Sequence, residues 1–129
     1  MTQARAGDAS DAADASGAGY GEGGEEAVRL TVVVRGRVQG VGFRWWARAR
    51  ALELGLVGTA TNLPDGQVEV VVEGLRESCE RLLTLLTENP ASPPPPGAHR
   101  TWFTRPGAVT AARHSWASAR GGLVGFRER

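Results

Sequence analysis

No lysine occurs in this 129-residue chain; all fifteen basic residues are arginines. That excludes a lysine nucleophile or Schiff base. Cysteine is almost as scarce. Cys79 stands alone, so there is neither an internal disulfide nor a thiolate metal cluster, and the composition fits a reducing compartment with the cytoplasm as the expected location. No apolar run approaches membrane-spanning length, and the first residues lack the basic and apolar regions of a secretory signal. Histidine is limited to His99 and His114, neither with an acidic, cysteine or histidine partner at ligand spacing. No metal site is read from them, and both are taken as incidental.

What charge there is lies unevenly. Residues 1–27 hold six Asp and Glu against Arg5 alone, are rich in Ala, Gly and Ser, and show no apolar period. Such a segment buries too little apolar surface to offset the entropy of ordering, so a disordered tail is expected. From Val28 onward fourteen arginines face eight acids, so the remaining residues, read as one domain over 28–129, are basic. A basic domain suits an anionic substrate, and nucleic acid equally.

Periodicity places the elements. Val28 to Arg35 reads as a strand with Leu30, Val32 and Val34 on one face. Phe43 to Leu54 reads as a helix with Phe43, Trp46, Ala47, Ala51 and Leu54 on one side, Trp45 beside that stripe and partly exposed, and Gly55 as its left-handed stop. Leu56 to Thr61 and Gln67 to Glu73 form a hairpin around Pro64-Asp65-Gly66, with Val68, Val70 and Val72 inward. Leu75 to Glu88 is a second helix carrying Cys79, Leu82, Leu83 and Leu86 on one face, where the thiol is buried and inert. A proline-rich insertion at about 89–105 follows, with Pro93 to Pro96 extended. Val109 to Ala117 reads as a weak strand, interrupted by Arg113 and Ser115, and Leu123 to Arg127 as a short last one. Strand, helix, strand, strand, helix, strand is the order of an α+β, ferredoxin-like sandwich: a mainly antiparallel sheet with both helices on one face.

The most informative run is Gly36-Arg37-Val38-Gln39-Gly40-Val41-Gly42-Phe43-Arg44, between the first strand and the first helix. Glycines in a strand-to-helix turn permit positive φ and close ligand approach. The helix N-terminus adds unpaired N–H donors and partial positive charge. Arg44 can add a bidentate, charge-assisted pair with phosphate oxygens. The run closely resembles the signature loop of the acylphosphatase family, G-x-V-Q-G-V-x-F-R. Asn62-Leu63-Pro64-Asp65-Gly66 with Gln67-Val68-Glu69-Val70 resembles that family's asparagine-bearing strand end and following strand, and Gly125-Phe126-Arg127 its closing strand. The resemblance is strong from Val28 to about Leu86 and looser from Pro106 to Arg127. It departs at Thr59 and Ala60, where family members often carry larger residues.

The resemblance implies hydrolysis of the carboxyl–phosphate bond of a small acylphosphate, giving carboxylate and inorganic phosphate without metal or cofactor. The phosphate-binding loop would be Gln39, Gly40, Val41, Gly42, Phe43 and Arg44, with Arg44 and Asn62 catalytic. An arginine in a first helical turn opposes the macrodipole unless an anion is bound there, so Arg44 reads as the anchor. Asn62 taken alone is a turn residue; beside the loop its carboxamide can orient a water. The Gln39 side chain is left open between capping the loop and facing solvent. A noncatalytic anion-binding regulatory module is the rival reading, and RNA binding a third, opposed by the lack of tryptophans at strand centres. Trp46 and Trp116 are therefore assigned to the core. A monomer with no nucleic-acid or membrane partner is expected.

Overall fold

Alternating valines build the centre of the molecule. The computed structural model describes residues 26–88, 91, 93, 96, 97 and 104–129. Nearly all of the expected tail, and most of the proline-rich insertion with His99, lie outside the described residues. In chain order the elements are β1 (Ala27–Arg37), α1 (Phe43–Glu53), β2 (Val57–Asn62), β3 (Val68–Leu75), α2 (Arg76–Thr87), β4 (Ala108–Ser118) and β5 (Phe126–Glu128). They form one sheet ordered β4-β1-β3-β2-β5, antiparallel throughout except where β5 runs parallel to β2. The ferredoxin-like expectation holds, with β5 as an added edge strand.

Leu30, Val32 and Val34 of β1 and Val68, Val70 and Val72 of β3 are fully buried on one face, and they share a single core with Phe43, Trp46, Ala47 and Ala51 of α1 and Cys79, Leu82 and Leu86 of α2. Both helices thus cover the same side, which is why the strands alternate instead of running apolar throughout. Leu54 and Leu83, at the margins of their helical stripes, are half-buried against this core.

Several elements differ from the sequence reading, and three of them show how backbone hydrogen bonding decides the outcome. Leu56 was expected in β2, but its N–H donates to Ala51 O at 2.9 Å while Gly55 N–H donates to Leu52 O at 3.1 Å. With Gly55 at φ 76°, this is the paired closure that satisfies the last carbonyls of a helix. β4 is a full eleven-residue strand, not a weak one, registered on β1 from Val28↔Ser118 to Arg37↔Ala108. It lies at the sheet edge with most side chains exposed, so its stability comes from the ladder and leaves no apolar alternation to read. β5 starts only at Phe126, because the residues before it are used to cross the sheet end.

That crossing, residues 119–125, links the two edge strands and is held by Glu73. The buried carboxylate accepts hydrogen bonds from the Arg120 and Gly121 N–H groups at 2.9 and 3.0 Å and from Arg29 Nε at 2.6 Å. Burial alone pushes the Glu73 pKa up, but the bonds from Arg120, Arg29 and Gly121 outweigh it and the net shift is downward. A carboxylate whose folded pKa is depressed contributes stability above its ordinary value of 4.5 and loses it as the pH falls through the folded value. Glu73→Gln is therefore expected to lower stability at pH 7 by on the order of 2 kcal/mol and to flatten the acid limb of the stability curve. Denaturant unfolding of both proteins over a series of pH values from 7 downward checks this: the gap narrows as the pH falls below 4.5.

Candidate functional site

At the opposite end of the sheet, β1 runs on past a bulge at Arg35/Gly36 into the glycine-rich loop. Gly36 has φ 138°, and a Cβ there would collide with the Ala108 carbonyl oxygen, so only glycine lets β1 and β4 close on each other at the root of the loop. Val38 and Phe43 anchor its two ends in the core. Between them Gly42 is the N-cap of α1, left-handed at φ 91° and ψ 8°. No side chain caps this helix and no acid occupies its first turn; Arg44 does instead. By contrast, α2 carries Glu77 in its first turn. The first turn of α1 thus joins helix N-terminal amides to a cation and carries no acid of its own, an arrangement that favours an anion there.

Asn62 ends β2 on the helix-facing side it shares with Ala60, paired with Val68 of β3. Its backbone N–H donates to the main-chain oxygen of Arg129 at 3.1 Å, and Arg44 Nη1 donates to the same oxygen at 2.8 Å. Arg44 and Asn62, eighteen positions apart in sequence, thus converge on one acceptor. It is placed by the continuation of β5, where Arg129 N–H reaches Ala60 O at 2.7 Å. The side-chain Oδ1 of Asn62 is buried with no hydrogen-bond partner among the described residues. A buried carbonyl oxygen left unpaired costs about 1–3 kcal/mol, so a water or ligand donor at this point is strongly favoured.

The Gln39 side chain, whose direction was left open, turns inward. Its Nε2 donates to Leu63 O at 2.7 Å and to Gln67 O at 2.8 Å, both in the turn that follows Asn62. That turn is closed by Leu63 N–H to Gln67 O at 2.8 Å, and Asp65 accepts from the Gln67 backbone N–H and side chain. The Gln67 backbone bond leads in holding the Asp65 carboxyl below its ordinary pKa.

Residues 30–96 match the family model described as Acylphosphatase. The chain belongs to the acylphosphatase family. It is 56% identical over 103 residues to the acylphosphatase of Acidothermus cellulolyticus, spanning 80% of this chain and 88% of the relative. With the acylphosphatase of Thermobifida fusca the identity is 55% over 104 residues, 81% of this chain and 99% of the relative. The crystal structure of acylphosphatase from Bacillus subtilis superposes with a TM-score of 0.61 at 26% identity, over 79% of this chain and 98% of that one.

Within this acylphosphatase-family fold, Gln39, Arg44 and Asn62 gather at one end of the sheet. The other chemically tempting residues stay apart. His114 is exposed on the edge strand β4. Cys79 is buried on α2, where desolvation raises its pKa to about 11. Trp45 is 43% exposed, as expected, and Trp46 is buried. Trp116, assigned to the core, is only half-buried: it packs against the core's rim with the Arg76 guanidinium 4.4 Å from its ring centre. Among the described residues no three metal-binding side chains cluster. Sequence reasoning missed Arg129, since nothing in Phe126-Arg127-Glu128-Arg129 signals that a main-chain oxygen, not a side chain, is what the site uses.

Proposed function

We infer that this protein hydrolyses the carboxyl–phosphate bond of small acylphosphates to carboxylate and inorganic phosphate. The observation that carries the reading is the convergence of Arg44 and Asn62 beside a helix N-terminus without a side-chain cap, with Asn62 Oδ1 buried and lacking a partner among the described residues. The loop N–H groups from Gln39 to Arg44 and the Arg44 guanidinium hold the phosphoryl oxygens. A guanidinium carries several N–H donors, so the one spent on Arg129 leaves others for the anion. Asn62 Oδ1 accepts a hydrogen bond from the attacking water and fixes its line of approach.

The water oxygen bonds to phosphorus as the bond to the acyl oxygen breaks. The electron pair departs with the carboxylate, and the water's protons pass to phosphate and solvent. An acylphosphate already has a good leaving group, so positioning and charge stabilisation supply the catalysis. We place the reaction in the cytoplasm, carried out by a monomer acting on a small molecule, with no metal. Among the described residues no helix is long and apolar enough to cross a membrane.

The deciding experiment is hydrolysis of a small aryl acylphosphate after exhaustive chelation, wild type beside Arg44→Ala. Metal-independent turnover that collapses in the variant supports the reading. Phosphate binding without turnover would assign the loop to a noncatalytic anion-binding module.

A further inference from the structure

The loop that grips and the residue that orients water are carried by strands that are not neighbours. β3 lies between β1 and β2, so the root of the loop and Asn62 are two strand spacings, roughly 10 Å, apart across the sheet. The sheet therefore does not by itself fix the loop against the hairpin. Gln39 spans the gap. Both of its Nε2 hydrogens are used, at 2.7 and 2.8 Å, on the two main-chain oxygens that bracket the turn directly after Asn62. Those same two residues close the turn, through Leu63 N–H to Gln67 O and Gly66 N–H to Leu63 O at 2.8 and 3.2 Å. The carboxamide thus grips the hairpin where its geometry is already most constrained.

We infer that the Gln39 side chain is a positioning group that holds the water-orienting Asn62 in fixed register with the phosphate loop. The assignment rests on the hydrolase reading above. With both Nε2 hydrogens spent on the hairpin, the Gln39 carboxamide acts through it. Its backbone N–H remains with the loop whatever the side chain is, so phosphate gripping and water alignment separate at this residue. A misplacement near 1 Å costs up to about a hundredfold in rate, whereas an anion held by several loop donors is insensitive to where the hairpin sits. A residue that merely stabilised the fold would change the melting temperature but not the turnover of the folded molecules.

The test is Gln39→Met, which keeps the length of the side chain and removes both donors, assayed with an aryl acylphosphate well below its unfolding temperature. The expected result is kcat lower by about tenfold to a hundredfold, with inhibition by inorganic phosphate within about twofold of wild type. If the methionine variant does not fold, Gln39→Asn, which keeps both donors but draws them back by one methylene, carries the same comparison. An active wild type with unchanged kcat in the folded variant overturns the assignment, and so does an equal loss of kcat and phosphate affinity, which would make Gln39 a gripping residue. An inactive wild type overturns the hydrolase reading, and this assignment with it.

Discussion

Asn62→Ala is expected to depress turnover by about a hundredfold or more while leaving the affinity for inorganic phosphate nearly unchanged. The asymmetry follows from what each group touches. The Asn62 side chain presents a buried oxygen with no partner among the described residues, and in the proposed mechanism the species it holds is the nucleophile, whose position counts only as the new bond forms. In the proposed mechanism the phosphate contacts belong to the loop amides and Arg44 and are complete in the ground state. Main-chain geometry should survive, because the Asn62 backbone bond to Arg129 O and the pairing with Val68 do not involve the side chain. Single-turnover hydrolysis and competitive inhibition by phosphate, measured on the same folded variant, check both halves. Equal losses in both would make Asn62 a ligand-gripping residue; wild-type turnover would remove it from the mechanism.

For Arg44→Lys the expected pattern is different: substrate binding and turnover fall together, by at least about tenfold. Lysine keeps the charge but loses the planar fork. In the structure that fork reaches Arg129 O at 2.8 Å with one nitrogen, and lysine, with all three donors on a single nitrogen, cannot reproduce the parallel pair of bonds that the fork can offer a phosphoryl group. Steady-state kinetics of wild type and variant at matched ionic strength decide the point. Unchanged constants in the lysine variant would overturn the assignment of Arg44 as a forked phosphate anchor.

Much of this arrangement was legible in the sequence because it is written in local patterns. The alternation of Leu30, Val32 and Val34, the helical stripe from Phe43 to Ala51 and the left-handed stop at Gly55 each depend on neighbours a few residues away, and each appears where its pattern put it. The loop was visible for the same reason: Gly36, Gly40 and Gly42 all have positive φ. What stayed hidden depends on distant partners. β4 reads weakly because an edge strand needs only a ladder, not an apolar face. Glu73 looks like an ordinary polar residue in an alternating strand, and only the crossing of residues 119–125 turns it into a buried clasp. Gln39 and Arg129 act through main-chain oxygens, which carry no residue code at all.

The clasp at Glu73 sits far from the loop. Along β2 the pairing moves from Val57↔Glu73 to Asn62↔Val68, five residues and roughly 16 Å of strand. Groups so separated, with no shared partner, contribute independently. The crossing is another matter, because it leads directly into β5, where Gly125 O accepts from the Gly58 N–H and Arg129 supplies the oxygen that Arg44 and Asn62 share; a change at Glu73 that leaves β5 in place alters stability alone, whereas one that displaces β5 moves that oxygen as well. The last strand is thus the link between the two ends of the sheet: the clasp secures the chain where it enters β5, and the site receives it where β5 ends.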